Sequence, residues 1–296
     1  LLSFNEGIEI VNTVKKLKEL DGDYEIIITD NGSDNTEELM KKEFEDVIFV
    51  RNGKNLGSPA AFNRALEKAS GKYILMTQKD VFYDKDFLVK MINNIQEEDI
   101  GAGVGKFYYL NSKKLISAGY KRNKITSKVF SVGKNEEDKG QYDDKDLDYY
   151  GGGLMLIKKK VLDEFKLDDR MFLGEHDADF CLRMKNKYKI KRVDTGVYHD
   201  ADEEREIPAF RMFHSIRGRV ILNRKHNKFL PIFIPLYFGN LVLKSLKNIN
   251  KKDLFLSYYK GFFSGFGNKV FSYGTEDKKY WLENICYITF LNAFNS

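Results

Sequence analysis

Across the first 110 residues, short apolar runs rich in β-branched side chains alternate with stretches whose apolar residues recur at helical spacing. Residues 1–4 read as the end of a strand. Residues 6–20 space Ile8, Val11, Val14, Leu17 and Leu20 as one face of a helix would. Residues 24–29, 47–50 and 73–77 predict buried strands, with helices over 36–44 and 58–69 between them. A further helix is expected over 87–95 and a strand over 101–110. Such alternation implies parallel, right-handed βαβ units, because parallel strands need a crossover and its handedness is nearly fixed. In these sheets ligands bind beyond the carboxyl ends of the strands. Here a polar cluster follows each strand: Asn5-Glu6, Asp30-Asn31, Asn52 to Asn55, and Gln78-Lys79-Asp80.

Apolar and charged fractions of 42% and 31% are those of a folded globular chain, which excludes wholesale disorder. The two cysteines, Cys181 and Cys286, lie far apart in apolar segments, so neither a disulfide framework nor a cysteine metal site is expected. Such cysteine usage makes a reducing, cytoplasmic setting the expectation; no signal peptide, internal repeat or transmembrane helix is recognisable. The net charge of +5 is uneven. Residues 207–296 hold 14 Lys and Arg against 4 Asp and Glu, a net of +10, which leaves −5 for residues 1–206. An acidic front and a basic, aromatic-rich tail point to two tasks, the tail meeting an anionic surface.

Residues 121–148 are polar and read as a mobile loop or β-excursion at the domain edge. Tyr149-Tyr-Gly-Gly-Gly-Leu-Met-Leu-Ile157 resumes the core, its glycines allowing either a close backbone approach to a ligand or a plain turn. Residues 189–193 and 195–199 predict two short strands, the second ending on His199. Residues 229–243 are strongly apolar but carry two prolines and fall short of the ~20 residues a spanning helix needs. Basic residues flank them, Arg224, Lys225 and Lys228 before and Lys244, Lys247, Lys251 and Lys252 after. A helical segment in a membrane interface is favoured over a packed subdomain or an oligomer contact. Nucleic acid is not an expected partner, because these charges punctuate apolar runs instead of interleaving with aromatics.

Glu175, His176, Asp177 and Asp179 crowd four ionisable groups into five residues ahead of an apolar helix. Acids suit a helix start in any case, so a well-capped helix and a reactive site both remain open. Asp80 at a strand end could ligate a hard cation such as Mg²⁺, or could be a turn residue. His199 at another strand end would make a mixed site better suited to Mn²⁺. Asp177 could act as a general base, with His176 and Asp179 modulating it. A Walker-type phosphate loop, a Gly-x-Gly-x-x-Gly after the first strand and a nucleophile elbow are all absent from the sequence.

The order of motifs resembles the family-two inverting glycosyltransferases of GT-A fold, nearest to their rhamnosyltransferase-like branch. The blocks are Ser3-Phe-Asn-Glu6, Asp30-Asn-Gly-Ser33, Asn55-Leu-Gly57 with Asn63, Asp80, Gly152-Gly-Leu-Met-Leu-Ile157, His176-Asp-Ala-Asp-Phe-Cys-Leu-Arg183 and Val197-Tyr-His199. The resemblance covers about residues 1–225, with the seven blocks in order between Ser3 and His199. The resemblance implies an α/β nucleotide-diphospho-sugar transferase fold with a Rossmann-like, mostly parallel sheet over 1–222. A helical C-terminal extension over 223–296 would follow. It implies that Asn5, Glu6 and Asp30 hold the nucleotide's base and ribose, and that Asn55, Gly57 and Asn63 lie on the nucleotide-side loop and helix. Asp80 and His199 would hold a divalent cation, Mn²⁺ or Mg²⁺, and Asp177 would be the catalytic base, supported by His176 and Asp179. Gly152 and Gly153 would position sugar and acceptor. Two departures stand out. Gln78-Lys79-Asp80 replaces a more acidic motif, so Lys79 must either point away from a cation or reach the donor's phosphate. His176 stands where the family usually has Glu, with Glu175 one place earlier.

The expected partners are a UDP- or dTDP-sugar donor and a glycan or lipid-linked acceptor at the cytoplasmic face of a membrane; self-association is left open. Two other classes compete: a non-catalytic sugar- or lipid-binding protein with a decayed site, and a nucleotidyltransferase. The latter should carry a basic Gly-rich loop near the first strand, and Ser3-Phe-Asn-Glu-Gly7 has no Lys or Arg.

Overall fold

The computed structural model describes residues 1–32, 35–143, 145–199 and 208–273. Ser33 and Cys286 lie outside these residues. The first half runs β1 (Leu2–Ser3), α1 (Ile8–Leu17), β2 (Ile26–Asp30), α2 (Thr36–Glu43), β3 (Val47–Arg51), α3 (Ser58–Leu66), β4 (Tyr73–Leu75), β5 (Val81–Tyr83), α4 (Phe87–Asn94) and β6 (Ile100–Tyr109). The second runs β7 (Leu115–Ser117), β8 (Tyr120–Arg122), β9 (Val129–Ser131), β10 (Met155–Lys158), α5 (Lys159–Phe165), α6 (His176–Met184), β11 (Lys189–His199), α7 (Ala209–His226), α8 (Leu230–Leu246) and α9 (Lys252–Ser264).

The expected βαβ units are present: β1, β2 and β3 pair in parallel, with α1 and α2 as crossovers. Leu2 N–H donates to the Thr77 carbonyl at 3.1 Å, joining β1 to the end of β4. Beyond β4 the pairing is mixed. β10 lies antiparallel between β4 and β6, β11 runs parallel to β6, and β5 closes the edge antiparallel to β11. The two strands expected over 189–193 and 195–199 are one strand, β11, whose register on β6 shifts between Arg192 and Gly196. A bulge absorbs the extra residues without ending the strand. Residues 121–148 form a β-excursion: β8 and β9 make a hairpin, and the buried Leu147 and Tyr149 anchor it to the main core.

α7 is the spine of the C-terminal region and contains the expected domain boundary at residue 222. Ile216 and Val220 on α7, Leu241 on α8, and Tyr258 and Phe262 on α9 form a separate small core. Gly261 and Gly265 let α9 lie close on α7; a Cβ there would fall 2.6 Å from the Phe213 carbonyl and 2.4 Å from Val220 Cβ. Arg217 on α7 is fully buried, and its guanidinium donates to the Arg170 and Lys269 carbonyls and, at 3.2 Å, to Ser264 Oγ. These bonds tie the helical region to the segment before α6. Among the described residues no helix is long and apolar enough to cross a membrane.

A second anchor surrounds His214 on α7. Its buried ring stacks on Phe172 at 4.3 Å, with Phe210, Phe213, Phe271 and Tyr273 around it. Burial, with the nearby Arg217 charge, holds its pKa well below 6.5. The neutral form is therefore the folded one, and its contribution is complete above pH ~6.5 and shrinks as pH falls below that value. We expect thermal melts to lose up to about 1.4 kcal/mol per pH unit from this group on acidification. His214→Phe should flatten that part of the slope; an unchanged slope would remove His214 as its source.

Candidate active site

The ends of β1, β2 and β3 form one polar edge because parallel strands deliver their carboxyl ends to the same side. Asn31, just past β2, stitches it together. Its carbonyl oxygen accepts from Asn52 Nδ2 at 2.9 Å and Leu56 N–H at 3.3 Å, while its Nδ2 donates to the Gly57 carbonyl at 3.3 Å. Asp30 is fully buried beside it. Asn5, at φ 55°, packs against Gly32, where a Cβ would fall 2.4 Å from Asn5 Oδ1. Asn55 Oδ1 accepts from Gly57 N–H at 3.0 Å, and the Asn55 backbone pairs both ways with Tyr273, at 2.7 and 2.8 Å.

Gly57 has φ 80°, and a Cβ there would lie 2.4 Å from the Phe172 carbonyl and 2.7 Å from its ring. Only glycine meets both demands. Gly57→Ala should cost about 2–3 kcal/mol, read as a lower denaturation midpoint, since backbone strain and overpacking add. A loss under half that size would show that the loop relaxes freely.

Two residues expected near the donor carry contacts of their own. Asn63 donates to the Leu167 carbonyl at 2.9 Å and Asp169 Oδ1 at 2.7 Å, and accepts from Leu167 N–H at 3.1 Å. Its amide ties α3 to the loop after α5. Lys79 pairs with Glu6 at 2.5 Å and with Glu9 on α1. Burial raises the Glu6 carboxyl above its ordinary value, with the Lys79 bond working against it.

Sheet register explains the next contact. β5 pairs antiparallel with β11, Val81 opposite His199 and Phe82 opposite Tyr198. Asp80 immediately precedes Val81, so its Oδ2 meets His199 Nε2 at 3.1 Å. That bond holds the Asp80 carboxyl below its ordinary value against the opposing pull of burial. Asp80 Oδ1 is buried with no hydrogen-bond partner among the described residues. The Tyr83 hydroxyl, 2.7 Å from Thr77 Oγ1 and 3.0 Å from the Gly153 carbonyl, fastens the 3₁₀ turn Gly152–Leu154 beside this strand end. Among the described residues no group of three His, Cys, Asp or Glu could hold a metal. A carboxylate with an unsatisfied buried oxygen beside an imidazole nitrogen nevertheless fits two positions of a divalent cation whose other ligands are phosphate and water.

α6 separates the crowded charges by what they touch. Glu175, at φ 62° ahead of the helix, accepts from Arg219 Nε at 2.7 Å. Asp179 is fully buried, 2.8 Å from Arg183 Nε, 2.8 Å from His226 Nε2 and 2.5 Å from Lys225 Nζ. Burial alone would raise its carboxyl, but these partners hold it below the usual range. Both acids thus clasp α6 to α7. Asp177 keeps 29% of its side chain exposed, with His176 Nε2 3.4 Å from its Oδ1. His176 is buried, its Nδ1 lacking a partner among the described residues. Tyr120, stacked on Tyr149 at 5.1 Å, lies within reach of the Asp177 charge, which adds to burial in raising its hydroxyl's pKa. The sequence reading did not single out Tyr83, Tyr120, Arg219 or His226 as site residues. Each acts through a partner far away in the chain, and no local spacing announces it.

Comparison with known proteins bears on the family and the fold. Residues 1–165 match the family described as Glycosyl transferase family 2, a segment ending before Asp177 and His199. An uncharacterised glycosyltransferase of Methanocaldococcus jannaschii is 27% identical over 175 residues, 57% of this chain and 57% of that protein. Poly-beta-1,6-N-acetyl-D-glucosamine synthase of Staphylococcus aureus is 32% identical over 121 residues, 39% of this chain. The match spans 29% of that synthase. Among solved structures, S. aureus TarS 1–349 aligns with a TM-score of 0.54 at 14% identity, covering 89% of this chain and 79% of that one. GalNAc-T7 with UDP, GalNAc and Mn²⁺ aligns at 0.57 and 14% identity, covering 75% and 46%. The profile covers more than half of the chain, and the same α/β architecture recurs in those structures, so this chain belongs to glycosyl transferase family 2 and has the GT-A fold.

Proposed function

We propose that the chain is an inverting glycosyltransferase. It would move a sugar from a UDP- or dTDP-linked donor to a hydroxyl of a glycan or lipid-linked saccharide, at the cytoplasmic face of a membrane. UDP is favoured by the structural neighbours, since TarS was solved with UDP-GlcNAc and GalNAc-T7 with UDP. The rhamnosyltransferase-like motif order keeps dTDP in play. The strand-end groups Asn5 and Glu6 would meet the nucleoside, with the Asn55–Gly57 loop beside it, and the fully buried Asp30 would join them only once the surrounding loops open. Gly152 and Gly153 would border the sugar. Asp80 and His199 would hold Mn²⁺ or Mg²⁺, which offsets the charge of the diphosphate. The Lys79 charge is offset by its pairs with Glu6 and Glu9, which eases the repulsion its place in the motif suggested.

Asp177 takes the proton from the acceptor hydroxyl. The acceptor oxygen then bonds to the anomeric carbon as the bond to the diphosphate oxygen breaks on the opposite side, which inverts the configuration. His176 orients the base, and Asp179 fixes the helix that carries it. The observation that carries this reading is the buried, unsatisfied Asp80 Oδ1 beside His199.

A thermal-shift screen tests it, with UDP-, dTDP- and GDP-sugars, each with Mn²⁺, Mg²⁺ or EDTA. One nucleotide class should stabilise the chain only with cation, and Asp80→Ala should abolish the shift. Stabilisation that survives EDTA would remove the cation, and no shift with any donor would sink the donor site.

A further inference from the structure

The helical region carries one surface that the proposed chemistry does not use. Phe229, Ile232, Leu236, Leu243 and Leu246 recur along α8 at spacings of three, four and seven, which keeps them on one face. Away from this face Phe233, Leu241 and Ser245 are buried, and Leu241 belongs to the region's small core. The outward residues are solvent-exposed in this chain, Leu236 at 54% and Leu243 at 67%, and Ile249 in the following turn is 61% exposed. An apolar stripe of this length on a soluble surface marks a partner.

Charge decides which partner. Lys228 stands at the start of the stripe and Lys244, Lys247 and Lys252 at its end, all exposed. Asp253 is the single carboxylate side chain between Pro208 and Tyr273. A self-complementary protein contact would bury like charges against each other, whereas an anionic lipid surface satisfies lysines at its headgroups while the stripe enters the acyl boundary. At seventeen residues, with Pro235 inside it, α8 suits lying in that plane better than crossing it.

We propose that α8 docks the protein on an anionic bilayer through Phe229, Ile232, Leu236, Leu243 and Leu246, with Lys228, Lys244 and Lys247 at the phosphate level. This rests on the membrane location proposed above but on none of the donor chemistry, so vesicle binding and donor binding can fail separately.

Flotation of the full chain with vesicles tests it. The protein should float with mixed phosphatidylglycerol and phosphatidylcholine and stay behind with phosphatidylcholine alone. Lys244→Gln with Lys247→Gln should weaken partitioning about tenfold or more, as should Leu236→Ser with Leu243→Ser. Both variants should keep the wild-type melting temperature and donor-induced shift, because the altered side chains are exposed. Equal binding to neutral vesicles, or none to either, would overturn the proposal. So would a concentration-dependent dimer that the leucine substitutions dissolve, since that would assign the face to a second copy of the chain.

Discussion

Asp177→Asn should reduce sugar transfer by about 10²–10⁴-fold, the range lost when a positioned general base is removed. The substitution keeps the shape of the side chain and removes its ability to accept the hydroxyl proton. Asp177 is partly exposed and stands outside the clasp between α6 and α7, so the fold should barely notice. The melting temperature and the donor-induced stabilisation should therefore match the wild type. The readout is sugar released from the donor, or transferred once an acceptor is found. Activity within a few-fold of wild type would take the base role away from Asp177.

Asp179→Ala, two residues on, should do the opposite. Its carboxylate neutralises Lys225, Arg183 and, when protonated, His226, in a setting with no solvent access to the acid. Breaking a fully buried ion cluster costs about 3–5 kcal/mol; here Lys225 keeps Asp168 and Arg183 keeps the Phe165 and Lys166 carbonyls, so about 2–3 kcal/mol is expected. Urea denaturation should show the loss, and partial unfolding of α6 would carry activity with it. The sign of its pH dependence is fixed. The folded carboxyl lies below its ordinary value, so its stabilisation is present above the unfolded pKa of ~3.9 and disappears as pH falls through the folded value. A cost under about 1 kcal/mol would mean that water reaches the cluster and replaces the carboxylate. The two variants thus separate chemistry from architecture within one helix turn.

How much of this was legible depended on range in sequence. The βαβ alternation could be read because apolar spacing is a local property, and α1 to α4 start within two residues of where that spacing begins. The pairing of Asp80 with His199 followed from motif order, and the β5–β11 register supplies its physical basis. β10 was readable as a core segment, but nothing local showed that it would insert antiparallel between β4 and β6. The break expected at Asp194 did not occur, because a bulge accommodates it inside β11. Asn63 and Lys79 show the same limit at the site. A polar side chain looks alike in sequence whether it faces a ligand or, like Asn63 on α3 and Lys79 after β4, bonds to another part of the chain. Motif order assigned Asp177 and Asp179 different roles, and the α7 cations Lys225 and His226 supply the physical difference between them.

The most direct test of the central claim is the configuration of the sugar first released when the enzyme leaks its donor to water, followed by NMR before mutarotation. From an α-linked UDP-sugar with cation present, single displacement predicts the β anomer first, and little release from Asp177→Asn. The α anomer first, or no release from any nucleotide sugar that the chain binds, would contradict an inverting transferase built on Asp177.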